Sequence, residues 1–200
     1  LPSQTFFNLE KSKRQQIVDA SLHLFATMPF KKVSIDKIVA HANIPKGSFY
    51  QYFTNKDDLY KYLFMRISDE KKKYLYDSFE TLKQLSFSEC MRHLYYSGMI
   101  YDEKKHEDLK DAFLLNCKKE LHDEIVAIMS KESMVLFEDI LNYYKRKGEI
   151  KKEINIKLTA QILTTLSLYM GKILEERQSS HDQIVKTIDE MMLVIESGIL

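Results

Sequence analysis

From residue 46 onward, apolar side chains return every three or four positions through stretches that no proline interrupts. All three prolines, Pro2, Pro29 and Pro45, lie in the first 45 residues, and beyond Gly47 the glycines are only Gly98, Gly148, Gly171 and Gly198. Such spacing predicts long helices. No alternating apolar-polar run is long enough to make a sheet, so the pattern predicts an all-α fold. That fold is a short N-terminal set of three helices plus a larger C-terminal bundle, about nine helices in all.

Ile17, Ala20, Ser21, Leu24, Phe25 and Met28 share one helical face, which predicts a first helix over 12–27, closed by Pro29. Ser34 is a good cap for a second helix whose buried side is Ile35, Ile38, Val39 and Ala42, with Asp36 complementing its positive start. Asn43 most easily supplies a left-handed turn after glycine, and Pro45 then opens a third helix over 45–51. A fourth helix is predicted over 55–82, with Asp57 and Asp58 at its start. Others follow over 86–96, 107–117 and 122–147, the last stopped by Lys145, Arg146, Lys147 and Gly148. Two final helices over 155–177 and 181–197 flank the polar Gln178-Ser179-Ser180 turn and predict an antiparallel hairpin.

A capped helix, a tight turn and a second short helix form the layout of a helix-turn-helix, which holds its second helix where the leading residues reach base edges in a major groove. Charge agrees with that reading once it is located. The whole chain carries only +1, but up to residue 66 there are ten Lys/Arg against five Asp/Glu, and beyond it twenty against twenty-four. The positive field belongs to the N-terminal end. Cys90 and Cys117 belong to no C-x-x-C pair and are read as reduced core residues without a metal or disulfide role. Neither a signal-like stretch nor an apolar run of membrane-spanning length occurs; Met191 to Ile195 is the longest found. A cytoplasmic protein without a membrane partner is expected. With no Met at position 1, the extreme N-terminus carries no weight in this reading.

Residues 33–59 strongly resemble the DNA-binding signature of the TetR family. The Ser34 cap, the Ile38-Val39 core, Gly47-Ser48-Phe49-Tyr50, the Tyr52-Phe53 pair and Lys56 all stand at the family's spacing. With the preceding amphipathic helix the resemblance covers about residues 10–66. Two positions depart from it: Asn43 stands where glycine is usual, and Pro45 where a Ser or Thr caps the reading helix, which removes one side-chain contact. Resemblance and chemistry together assign Ser34, Tyr50, Tyr52 and Lys56 to phosphates, with packing under the helix the competing reading for the two tyrosines and plain solvated charge that for Lys46 and Lys56. They assign Lys46, Gly47, Ser48 and Gln51 to the groove surface, Lys46 suiting guanine and Gln51 adenine, count Pro45 with the DNA-binding residues at the head of that helix, and turn Phe49 and Phe53 inward.

The same resemblance implies a DNA-binding domain over 1–66 and a ligand-binding and dimerisation domain over 67–200. It further implies a homodimer on a palindromic double-stranded operator, released as a repressor when a small hydrophobic or aromatic effector binds. The dimer surface is expected at Leu158, Ile162, Thr165, Leu166 and Tyr169 on one helix and Ile184, Ile188, Met191, Met192 and Ile195 on the next. Effector-lining candidates are Phe87, Met91, Tyr95, Phe113, Cys117, Phe137, Tyr144 and Tyr169, for each of which ordinary core is the competing reading. A regulator answering to a protein partner is the alternative within the DNA-binding class. An enzyme finds little support: no G-x-S-x-G, G-x-G-x-x-G or P-loop occurs. The lone Glu103-x-x-His106 lacks the second pair a di-iron bundle needs and reads as part of a solvated connection over 102–108. No catalytic residue, cofactor or metal is implied, the other histidines showing no ligand spacing.

Overall fold

The computed structural model describes residues 1–113, 117–176 and 180–200, and side chains within these except at 100, 102–113 and 171–176. Among the described residues there are nine α-helices and no strand: α1 Gln4–Phe7, α2 Lys11–Thr27, α3 Ile35–His41, α4 Lys46–Tyr52, α5 Lys56–Leu82, α6 Phe87–Phe113, α7 Lys119–Lys147, α8 Ile156–Glu176 and α9 His181–Ile199. A single 3-10 turn, Phe30–Lys32, joins α2 to α3. The all-α expectation holds. Two of its details do not.

The residues expected to form a solvated connection over 102–108 lie inside the continuous α6. Lys and Glu are good helix formers, and no Pro or Gly interrupts that run, so a polar stretch there extends the helix instead of breaking it. The set-aside N-terminus is also folded, with α1 placing Phe6 wholly inside the protein.

The chain forms two compact units, one of residues 1–68 with 104–127, the other of residues 69–103 with 128–200. In the first, Ile17, Val18, Leu24 and Phe25 of α2 are buried together with Phe30, Leu59, Tyr60 and Leu63. Phe25, Phe30 and Tyr60 form an aromatic knot, the Tyr60 ring standing edge-on 4.8 Å from Phe25 and 4.9 Å from Phe30. Such contacts favour one arrangement of the three elements over its neighbours. Within the same unit, Lys118 pairs with Asp57 at 3.2 Å and Lys61 with Glu124 at 2.8 Å.

The second unit is built around Phe87, Cys90 and Met91 of α6, Ile140, Leu141 and Tyr144 of α7, Ala160 and Leu163 of α8, and Ile188 and Met192 of α9. Its helices start and stop by side-chain chemistry. Ser86 and Glu89 form a reciprocal cap at the head of α6, and Ser180 and Gln183 do the same at the head of α9. Gly148, at φ 81°, closes α7 in the left-handed conformation that a side chain would oppose.

Candidate DNA-binding site

The turn that defines the site is local in origin. Ser34 Oγ accepts the Lys37 backbone N–H at 3.3 Å, closing the open end of α3 and leaving the hydroxyl proton to donate elsewhere. At the other end Asn43 adopts φ 46°, as its short amide side chain permits, and the Ile44 N–H returns to the Val39 carbonyl at 3.0 Å. Gln16 Nε2 donates to the Ala42 carbonyl at 3.0 Å and ties α2 to the same corner. Pro45 then serves as the cap of α4 without a side-chain bond, one position earlier than the first helical place expected for it.

On α4, Phe49 is completely buried and Phe53 just beyond it nearly so, as expected. Lys46, Gly47, Tyr50 and Gln51 are exposed and Ser48 half-buried, so one side of this short helix stands open to solvent. A Cβ added at Gly47 would meet nothing within 4 Å, so the chain itself does not require glycine there. Tyr50 keeps 54% of its surface free. Lys46 Nζ reaches the Asp36 carboxylate of α3 at 2.7 Å, and that carboxylate pushes the ammonium above its ordinary pKa.

Two expected phosphate contacts are corrected. Tyr52 is buried, its ring 6.0 Å from Phe6, because the seven-residue helix must turn its last aromatic inward to close over α1. Lys56 is half-buried, and its Nζ donates to the Phe30 and Val33 carbonyls, each at 2.7 Å, while lying 4.1 Å above the Phe30 ring. Burial pushes this ammonium below the usual lysine value. With two protons committed to backbone, at most one remains for a phosphate, and Lys56 chiefly fastens the turn before α3 to the start of α5.

Sequence reasoning missed a brace on the far end of α4. The Ser3 N–H donates to the Tyr52 carbonyl at 2.9 Å, and its hydroxyl donates to the Gln51 carbonyl. These are orphan acceptors that every helix leaves at its C-terminus. Phe6 locks the brace by packing on Phe53 at 4.9 Å and Tyr62 at 5.2 Å. The only signal in the sequence is the Phe6-Phe7 pair following Ser3 by three residues.

Residues 17–63 match the family model described as bacterial regulatory proteins, tetR family. These residues are similar to the N-terminal domain of that family. Among characterised proteins it is similar to the fatty acid metabolism regulator protein of Bacillus subtilis, 23% identical over 157 residues, covering 77% of this chain and 79% of the relative. Two solved structures share the TetR-like fold. One, from Syntrophomonas wolfei and named as a TetR-family transcriptional regulator, gives a TM-score of 0.77 at 18% identity, covering 95% of this chain and 97% of that one. The other, the regulator FadR of Bacillus subtilis in complex with stearoyl-CoA, gives 0.68 at 20% identity, covering 93% and 99%.

In the second unit of this TetR-like chain, Phe87, Met91, Tyr95, Phe137 and Tyr144 are buried in one cluster. Tyr144 donates to the Leu85 carbonyl at 3.2 Å, and burial raises its phenol well above the ordinary value. Two of the eight expected lining residues do not join that cluster. Tyr169 points outward with 61% of its surface exposed, a correction that follows from its place on the outer stripe of α8. Cys117 belongs to the first unit, half-buried, and the Phe113 side chain lies outside the described residues.

On α8, Leu158, Ile162 and Thr165 are exposed in line with Tyr169, and Leu166 is half-buried. The α9 assignment needs correction. Ile184, Ile188, Met192 and Ile195 are buried against their own core and Met191 is half-buried, whereas Val185, Leu193 and Val194 are the exposed apolar positions, Val194 at 76%. The helix carries two apolar stripes. The more continuous one is consumed in the core it shares with α6, α7 and α8, so the broken one faces out.

Proposed function

We propose that this chain is a TetR-like transcriptional regulator acting in the cytoplasm, in which residues 1–66 hold DNA and residues 67–200 dimerise and sense a ligand. The observation that carries the reading is the open side of α4. Lys46, Gly47, Tyr50 and Gln51 project from a short helix fixed at both ends by groups that leave this side clear, which suits insertion into a major groove about 12 Å wide. Ser34 and Tyr50 contact phosphates, while Lys46, Ser48 and Gln51 face base edges.

A two-fold dimer places two such helices about one DNA turn apart and selects a palindrome. Its surface is the outer stripe of α8, Leu158, Ile162, Thr165 and Tyr169, with Val185, Leu193 and Val194 of α9, because these mostly apolar side chains find no cover among the described residues. The effector enters the second unit among Phe87, Met91, Tyr95, Phe137 and Tyr144. A long apolar chain is its best-supported class, in keeping with the stearoyl-CoA held by the Bacillus subtilis regulator. Binding of that effector releases the operator, a repressor's response, and a coupling of about 1–3 kcal/mol weakens DNA binding roughly 5- to 150-fold.

Selection of bound sequences from random DNA tests the first part: an inverted repeat should emerge, bound less tightly as salt rises. Recovery of no preferred sequence would sink the regulator reading. Titration of the protein–operator complex with stearoyl-CoA tests the second, with release expected at concentrations where free stearate at equal level also raises the melting temperature.

A further inference from the structure

Asp36 stands where a DNA-binding surface would be expected to avoid negative charge. It occupies the first turn of α3, 71% of its side chain is exposed, and its Oδ1 lies 2.7 Å from the Nζ of Lys46, itself 53% exposed at the first position of α4. The pair therefore bridges the two helices of the helix-turn-helix across their open side. Among nearby cations, Lys37 is turned back, its Nζ 3.3 Å from the Lys32 carbonyl. Lys46 is thus the cation that Asp36 addresses.

A lysine ammonium on a four-carbon stem is a mobile point charge that binds any phosphate within reach, independent of sequence. Phosphate contacts carry no sequence information, whereas a donor fixed over a base edge does. A carboxylate bonded to one ammonium proton changes both properties at once. It cancels most of the attraction of Lys46 for distant phosphates and fixes the direction of the two protons that remain. Those protons suit the paired acceptors, N7 and O6, that guanine presents in the major groove. The carboxylate itself is repelled by the phosphate walls, so binding to an arbitrary sequence suffers a penalty that a correctly placed guanine offsets.

Resting on the DNA-binding reading above, we propose that Asp36 is a specificity-determining residue that restrains Lys46 from indiscriminate phosphate contact and aims it at a base edge. It acts through Lys46, as a positioning residue.

The test compares wild type, Asp36→Asn, Asp36→Glu, Lys46→Ala and the Asp36→Asn/Lys46→Ala double variant, each measured on the sequence selected by the wild-type protein and on random-sequence DNA across a salt series. Asp36→Asn is expected to bind random DNA several-fold more tightly and to steepen the log–log salt dependence by about 0.9, one added phosphate contact. Affinity for the selected site should change less, so the ratio between the two falls. Asp36→Glu, which keeps the charge, should behave as wild type, and the steepening should vanish when Lys46 is absent. A merely structural Asp36 would instead lower both affinities together with an unaltered salt slope, and that result overturns the proposal. So does an Asp36→Asn variant indistinguishable from wild type while the wild type retains its preferred sequence. A wild type with no preferred sequence would sink the DNA-binding reading itself, a separate outcome.

Discussion

Lys56 is a charged side chain engaged chiefly in holding the fold. Its ammonium bonds the Phe30 and Val33 carbonyls across a gap of more than twenty residues, so the start of α5 and the turn before α3 move together. Hydrogen bonds to a charged group contribute about 1.5–3 kcal/mol each, and screening at this half-buried site argues for the lower end. Lys56→Met is expected to lower unfolding stability by about 2 kcal/mol in urea titrations. It should also weaken DNA binding while leaving the salt slope nearly unchanged, because few of its protons were ever available to phosphate. The two tyrosines of α4 separate in the same way. Tyr50→Phe removes one exposed hydroxyl and is expected to weaken DNA binding about fivefold, the equivalent of about 1 kcal/mol, at no cost in stability. Tyr52→Ala empties part of the cluster around Phe6 and should destabilise the fold by roughly 3 kcal/mol.

Elements in this chain are ended by identifiable groups, and their removal has calculable effects. The turn between α3 and α4 depends on a residue at φ 46°, a conformation that costs a typical L-residue about 1–2 kcal/mol. Asn43→Gly should therefore fold as well as wild type, while Asn43→Val should lose about that amount in thermal or chemical unfolding and misplace α4. At the head of α6, the Ser86 hydroxyl and backbone N–H bond the Glu89 carboxylate and hold its pKa below the usual value of 4.5. A carboxylate with a depressed folded-state pKa contributes stability that is present above pH 4.5 and lost as pH falls through the lower folded value. Glu89→Gln keeps the capping geometry but cannot titrate. Its melting temperature is expected to fall less steeply than that of wild type as the pH is lowered through that window.

For the whole molecule, the decisive property is which apolar surface is left over once each helix has covered its neighbours. The outer stripe of α8 remains exposed, and the inner stripe of α9 does not. Ile162→Glu is therefore expected to split the proposed dimer, raising its dissociation constant at least 30-fold in sedimentation experiments, the equivalent of a loss of about 2 kcal/mol at an interface centre. Met192→Ala should leave association intact and instead reduce folding stability by about 2–5 kcal/mol, since that side chain is wholly buried within its own chain. Equal effects of the two substitutions on association would contradict this division of the faces.

The helix-turn-helix was legible because its determinants are local. A serine cap, an asparagine able to turn left-handed, a proline at the head of the next helix and two phenylalanines one helical turn apart all lie between residues 34 and 53, and each acts on neighbours a few positions away. Periodicity likewise announced the long helices, though a charged run of good helix formers passed for a connection inside α6. Tertiary structure alone decided direction and partnership. A repeat of three and four residues reveals that a face exists without saying whether it looks inward, and on α9 the face of Ile184, Ile188, Met192 and Ile195 looks inward. The carbonyls that hold Lys56 and the serine that closes α4 lie far from them along the chain, and no local pattern encodes a meeting that only folding brings about.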